Sequence, residues 1–158
     1  MDLLYNKVEY VIAPKKSSDQ IPYHLLLLAD ENPHLIEAYL PLSQVYLLFI
    51  GPQVQGVYLL RVDSLEAEIM NIAIEPAYQG KGLGKALLAH AIKEGKAKGL
   101  QRLQIKTGNS SIRQISLYQQ QGFDLIAVNY NFFLESYPLP IWENNIQCKH
   151  QLIFELVL

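Results

Sequence analysis

The chain of 158 residues is long enough for one domain with a sizeable core. Half of its residues are hydrophobic, 18% are charged, and the formal net charge is −2, so no broad basic field directs it to nucleic acid. One cysteine, Cys148, excludes a disulfide framework and a cysteine-rich metal site. No apolar run approaches the length that spans a bilayer. Residues 1–7 lack the basic-then-apolar order of a secretory signal. The expectation is a soluble cytoplasmic protein, with no membrane partner, no nucleic-acid partner and no metal.

Val8 to Ala13 reads as a first strand, stopped by Pro14 and a polar run. Pro22 opens a helix through Ala29, and Pro33 opens another to about Leu40. His24 and His34 lie here, each either a surface or cleft-lining histidine or a catalytic one. Three strand-like segments follow, Gln44–Ile50, Gln55–Val62 and Glu66–Ile74, with turn signals between them that suggest an antiparallel meander. A helix from Leu83 to Lys98 shows its core face in Leu83, Leu87, Leu88, Ala91 and Ile92, and Gly99 reads as its C-cap. Arg102 to Lys106 reads as a strand, Thr107 to Ser110 as a turn. Ser111 to Gln114 reads as a capping box that starts a helix ending at Gln121-Gly122. Phe123 to Val128 returns to strand. Asn131 to Gln147 is an aromatic and proline-bearing segment, and His150 to Leu158 a final strand.

Chemistry points to one stretch, Gln79-Gly80-Lys81-Gly82-Leu83-Gly84-Lys85. It lies between the strand ending at Glu75-Pro76 and the helix from Leu83. Three glycines on alternate positions leave the backbone bare, so a ligand can approach it closely. The first turn of the helix has unpaired N–H groups and the positive end of the helix dipole. With two lysines, that makes an anion site suited to phosphate. A dinucleotide fingerprint is excluded, because its third glycine would stand at Lys85. A Walker A loop is excluded too: the glycine spacing is one short, and Ala86 stands where a Ser or Thr must bind magnesium.

The remaining pattern, Gln79 then Gly82 and Gly84 in a strand–loop–helix setting, resembles the acetyl-CoA pyrophosphate loop of the GNAT superfamily of N-acetyltransferases. The order of elements is similar to that family over nearly the whole chain, here taken as a single domain, residues 1–158. The implied fold is α/β: a mixed, mostly antiparallel sheet of about seven strands with about four helices. Acetyl-CoA would lie in a splay between two central parallel strands, here Glu66–Ile74 and Arg102–Lys106. The resemblance implies that Ile72, Ala73 and Ile74 pair their backbone with the pantetheine amides. It implies that Gln79, Gly80, Lys81, Gly82, Leu83, Gly84 and Lys85 hold the pyrophosphate.

Leu117-Tyr118-Gln119-Gln120-Gln121-Gly122-Phe123 looks like a second family stretch, whose tyrosine is placed beside the thioester sulfur. A phenol with pKa ~10 stays protonated near neutrality and can support a departing thiolate. The family's asparagine position is taken by Ser111, with Asn109 two residues earlier. Either could bond the pantetheine, or Ser111 could only cap its helix. Only a neutral amine attacks a thioester, and a base is needed to supply it. Glu68 is the nearer candidate, Glu66 the other, and a chain of ordered waters the competitor. Asn71-Ile72-Ala73-Ile74 resembles the ribosomal-protein alanine acetyltransferases of this superfamily. Those enzymes commonly carry a glutamate base where this chain has Lys106, which cannot supply a carboxylate.

The implied reaction is direct transfer of acetyl from acetyl-CoA to a primary amine of a small molecule or peptide. Other readings are a ribosomal-protein-type N-terminal acetyltransferase, or a CoA-binding sensor or interaction module without turnover. Cys148 has no histidine-partnered nucleophile motif. The segment from Phe132 to Trp142 is expected to line the acceptor cleft or a subunit contact, which leaves a homodimer open.

Overall fold

The computed structural model describes residues 7–158. Residues 1–6, nearly all of the segment read for a secretory signal, lie outside the described residues. Among the described residues seven strands form one sheet in the order β1-β2-β3-β4-β5-β9-β6, and two more form a small separate ladder, β7-β8. The α/β class and the seven-stranded sheet expected from the sequence are therefore present. Five α-helices are found among the described residues, where about four were expected.

Residues 7–61 and 69–93 make one compact unit. Strand β1 (Val11–Pro14) starts later than its apolar run, and pairs antiparallel with β2 (Gln44–Ile50). β2 pairs antiparallel with β3 (Gln53–Asp63), whose central residues Val57 to Leu60 are all buried. A strand covered on both faces needs a continuous apolar run rather than alternation, which explains the composition of β3. Helix α1 (Tyr23–Ala29) begins after Pro22, and α2 (Pro33–Tyr39) begins at Pro33. The Asn32 side chain caps α2 by accepting from the amides of His34 and Leu35. Both helices bury one face: Leu25, Leu26, Ile36 and Tyr39 pack with Leu47, Val57, Leu59 and Ala73. Asn71, buried on β4 (Glu66–Ile74), donates to the Leu26 carbonyl and the Tyr39 hydroxyl. Tyr39 in turn donates to Asp30. This chain of bonds ties the two helices to the strand.

The second unit comprises Val62–Glu68 and Glu94–Leu158. Helix α3 (Leu83–Ala97) runs from the first unit into it and ends at Gly99, whose φ of 71° is the left-handed cap expected there. Strand β5 (Arg102–Gly108) pairs antiparallel with β9 (Gln151–Val157), and β6 (Asp124–Asn129) pairs with the other side of β9. β5 runs two residues further than its sequence signal. Thr107 and Gly108, expected in a turn, keep pairing with Leu152 and Gln151. Helix α4 (Ile112–Gln120) starts at Ser111, but no capping box forms. The Ser111 hydroxyl bonds to Glu143 instead of an α4 amide.

The aromatic and proline-bearing segment that follows β6 forms a short helix α5 (Phe132–Ser136) and a hairpin of β7 (Ile141–Glu143) and β8 (Ile146–Cys148). The hairpin turns on Asn144 and Asn145, both at positive φ, the conformation that asparagine tolerates best after glycine. Gly108 makes the approach of this segment possible. A Cβ there would overlap the Cys148 sulfur and lie 3.4 Å from the Phe133 ring.

Gly108→Ala is therefore expected to destabilise the protein by about 1–3 kcal/mol through overpacking. Urea unfolding should show the loss, and Cys148→Ala in the same chain should recover much of it. Full stability of the single variant would mean that the segment yields freely at this point.

Candidate active site

The first candidate region is built around the end of β4. After Ile74 the chain passes Glu75-Pro76, makes one 3-10 turn over Pro76–Tyr78, and enters α3 at Leu83. The Gln79 side-chain amide donates back to the Ile74 carbonyl at 2.9 Å, so it braces the loop against the strand that feeds it. Glu75 is held from the other side by the His24 ring at 2.9 Å. Gly80 and Gly82 lie at φ of 76° and 81°, in the left-handed region that side-chain-bearing residues occupy at a cost. A Cβ at Gly80, Gly82 or Gly84 would meet nothing within 4 Å. The glycines at 80 and 82 answer a backbone demand, and the space beside all three is open.

The first amide bond into α3 is donated by Ala86 to the Gly82 carbonyl. The amides of Leu83, Gly84 and Lys85 precede it, in the turn where helix N–H groups lack helical acceptors. Leu83 is buried and anchors this turn, as Leu87 and Leu88 do further along. Lys81 and Lys85 are exposed. Bare amides, the dipole of a 15-residue helix and two cations can hold a phosphate group.

The second region lies in the other unit. Tyr118 sits seven residues after Ser111 on α4 and is only 3% exposed. Its ring packs edge-on against Phe154 and tilted against Phe123, with centroids 5.7 and 6.3 Å away. The helix end fixes this register. The Gln121 amide donates to Leu117, Gly122 to Gln119, and Phe123 to the Tyr118 carbonyl. Burial alone pushes the Tyr118 phenol far above its ordinary range. The shift favours the protonated phenol, the form that can donate a hydrogen bond toward an anion.

Glu68 on β4 pairs with Lys106 on β5 at 3.2 Å, both partly buried. Glu66, the other base candidate, lies 3.5 Å from Arg102, which also reaches Glu155. Lys106 thus brings a carboxylate to its own position from the neighbouring strand. Sequence spacing could not have shown this, since the partners are far apart in the chain. Asn109 and Ser111 are both engaged by residues 143–150. Asn109 donates to the Gln147 carbonyl and accepts from the amides of Lys149 and His150. Ser111 and Glu143 share a bond of 2.8 Å. Among the described residues, no group of three or more His, Cys, Asp or Glu side chains could hold a metal ion. None of their helices is long and apolar enough to cross a membrane.

Burial also gives an alkaline signature. Tyr39 and Tyr118 both have phenols raised by desolvation. Their unfolded value is ~10, so folding resists their ionisation above that pH. Stability is unaffected below pH ~10 and falls as pH rises beyond it, by up to about 1.4 kcal/mol per pH unit for each phenol. Urea midpoints between pH 9 and 11 should show the fall, and Tyr118→Phe should make it shallower. An unchanged slope would mean that Tyr118 ionises freely in the folded protein.

The Acetyltransferase (GNAT) family model matches residues 14–123. The uncharacterized N-acetyltransferase YvbK of Bacillus subtilis is 42% identical over 136 residues, 85% of this chain and 87% of its own. A GNAT family acetyltransferase from Elizabethkingia anophelis, solved with acetyl-CoA bound, is 40% identical. It superimposes with a TM-score of 0.91 over 94% of this chain and 98% of that one. The ribosomal protein bS18-alanine N-acetyltransferase of Escherichia coli is 38% identical over 68 residues, which cover 43% of this chain and 46% of that protein. A family model that matches most of the chain, a relative 42% identical over most of both chains and a shared fold agree: this chain belongs to the GNAT family of acetyltransferases.

Proposed function

We propose that this chain, acting as one GNAT domain, transfers acetyl from acetyl-CoA directly to a primary amine of a small molecule or peptide. The observation that carries this reading is the open glycine turn at the N-terminus of α3. It offers backbone amides, exposed Lys81 and Lys85, and empty space beside Gly80, Gly82 and Gly84. The likeness to a relative solved with acetyl-CoA supports the same cosubstrate here. In this reading residues 80–85 hold the pyrophosphate, and buried Leu83 keeps their amides in place. Gln79 shapes the loop through its bond to Ile74. The backbone of Ile72 to Ile74 pairs with the pantetheine amides.

The amine nitrogen bonds to the acetyl carbon as the carbon–sulfur bond breaks. Sulfur leaves with the negative charge and accepts a hydrogen bond from the Tyr118 phenol. Full proton transfer is uphill, because a thiol is already the stronger acid and burial weakens the phenol further. A bond that strengthens with the charge is enough to lower the barrier. Glu68 receives the proton that the amine loses, exchanging its Lys106 partner for the acceptor.

A ribosomal-protein acceptor is the second reading, supported by the partial match to the bS18-alanine enzyme. Lys106 replaces the glutamate that such enzymes commonly carry, although Glu68 brings a carboxylate beside it. Asn109 and Ser111 have partners in the hairpin, so we assign them first to holding that segment and only second to pantetheine. A cytoplasmic location belongs to this reading, in keeping with a single cysteine, buried in the fold.

Gly82→Asp should place a negative charge where the pyrophosphate belongs. The side chain has room, so circular dichroism should show an intact fold. Calorimetry should show CoA affinity falling steeply, and an unchanged affinity would remove this loop from the site. Tyr118→Phe should keep CoA affinity and lower kcat on an accepted amine by ~10² or more, the lower range for a general acid. A kcat within about twofold of wild type, well short of that range, would return Tyr118 to a packing role. It would also reopen the reading of a CoA-binding module without turnover.

A further inference from the structure

Two strands end the seven-stranded sheet, and they are built differently. An end strand presents a row of unpaired N–H and C=O groups to any chain that can pair with it. β1 is guarded against this. It has four residues, the last is Pro14, and Lys15 and Lys16 follow. Proline withholds a donor and lysine resists burial, so a further strand is poorly received there. β6, at the other end, carries no proline, lysine or arginine. Its residues Leu125, Ile126 and Ala127 are exposed, the first two to 50% and 51%, and Val128 is half-buried. An apolar strand edge therefore stands in water.

The ladder to β9 shows what can pair with this edge. Asp124 stands opposite Glu155, Leu125 opposite Phe154, Ala127 opposite Ile153, Val128 opposite Leu152 and Asn129 opposite Gln151. Ile126 is bulged out of the register. The five remaining residues alternate: Leu125 and Val128 share one face, while Asp124, Ala127 and Asn129 share the other. Ala127 is the middle one. With a second β6 running antiparallel about a two-fold axis at Ala127, every pair falls on matching faces. Ala127 meets its own copy, Leu125 meets Val128 of the second copy, and Asp124 meets Asn129 of the second copy. The smallest side chain is the one on the axis, where a larger one would collide with itself. The single charge does not meet its copy and faces an amide that can donate to it. Among the described residues neither the Asp124 carboxylate nor the Asn129 amide has a hydrogen-bond or charge partner of its own.

We propose that β6 is the contact surface for a second copy of this chain, the two strands pairing antiparallel about a two-fold axis at Ala127. One patch serves both sides, so the pair closes and does not grow into a filament. Pairing over so few residues buries less than the roughly 1,200 Å² at which standard stable interfaces begin. Assembly is therefore weak and depends on concentration.

Sedimentation equilibrium over rising protein concentration tests this. The mean mass should climb from that of one 18.0 kDa chain toward twice that value. Ala127→Glu should hold the protein at one chain, because the axis sets the two introduced carboxylates directly opposite each other. Ala127→Lys should do the same with two ammonium groups. An equimolar mixture of the two variants should restore the dimer, since a carboxylate then faces an ammonium. Position 127 is exposed, so circular dichroism should show both variants folded. Amide exchange in residues 124–129 should slow with concentration in the wild type and in the mixture, and in neither variant alone.

A wild type that stays one chain at every concentration would overturn the proposal and leave this edge to a partner of another kind. A dimer that survives in both variants would overturn it by placing the contact elsewhere. Two monomeric variants that do not combine when mixed would overturn the pairing about Ala127. Wild-type exchange that ignores concentration would overturn it whatever the variants do.

Discussion

The turn from β4 into α3 depends on a backbone conformation that glycine adopts freely and other residues adopt at a cost of roughly 1–2 kcal/mol each. Gly80 and Gly82 take it in succession, with φ near 76° and 81°. Those angles carry the chain from the strand into the helix, whose first bond is donated by the Ala86 amide. Gln79 and Glu75 hold the two ends of the strand's exit, one on the Ile74 carbonyl and one on His24. Leu83, Leu87 and Leu88 fix the helix by burial. In the proposed anion site, the helix dipole and the two lysines depend on this turn for their placement.

Tyr118 illustrates a different constraint. The ring packs against Phe123 and Phe154, and the same burial disfavours ionisation of the phenol. That is a poor property for a group that must surrender its proton and a good one for a group that must keep offering it. A phenol that burial keeps protonated gives its strongest bond when charge appears on its partner, which is the condition of a leaving thiolate. The aromatic surroundings and the catalytic proposal therefore need the same burial.

Much of this was legible in the sequence, for identifiable reasons. Pro22, Pro33 and Gly99 mark helix ends through backbone geometry that no tertiary contact overrides. The bounds of β2 and β4 follow from apolar runs between strong turn signals. The glycine loop was legible because its conformation is a demand on the backbone, and glycine announces such demands directly. What failed to show was tertiary. Ser111 to Gln114 has the residues of a capping box, yet Glu143 competes for the hydroxyl from 32 positions away. Separation along the chain likewise hides the pairing of Glu68 with Lys106. The hairpin did leave a local trace in Asn144-Asn145, a dipeptide suited to two successive positive φ values. Its strands are three residues each, too short for a period to emerge.

Asn109 shows why a motif position and a role can separate. Its carbonyl oxygen accepts from two consecutive amides and its nitrogen donates across the hairpin, so three of its four bonding sites are filled within the protein. One N–H remains, which could still meet a ligand, but the residue cannot turn toward that ligand without releasing Lys149 and His150. A buried or half-buried amide left without partners would cost about as much as the bonds themselves contribute. Any ligand bonded to Asn109 would therefore have to accept the orientation that the hairpin imposes. In this way the loop after β5 joins two demands that the sequence lists separately, the start of the Tyr118 helix and the placement of Trp142.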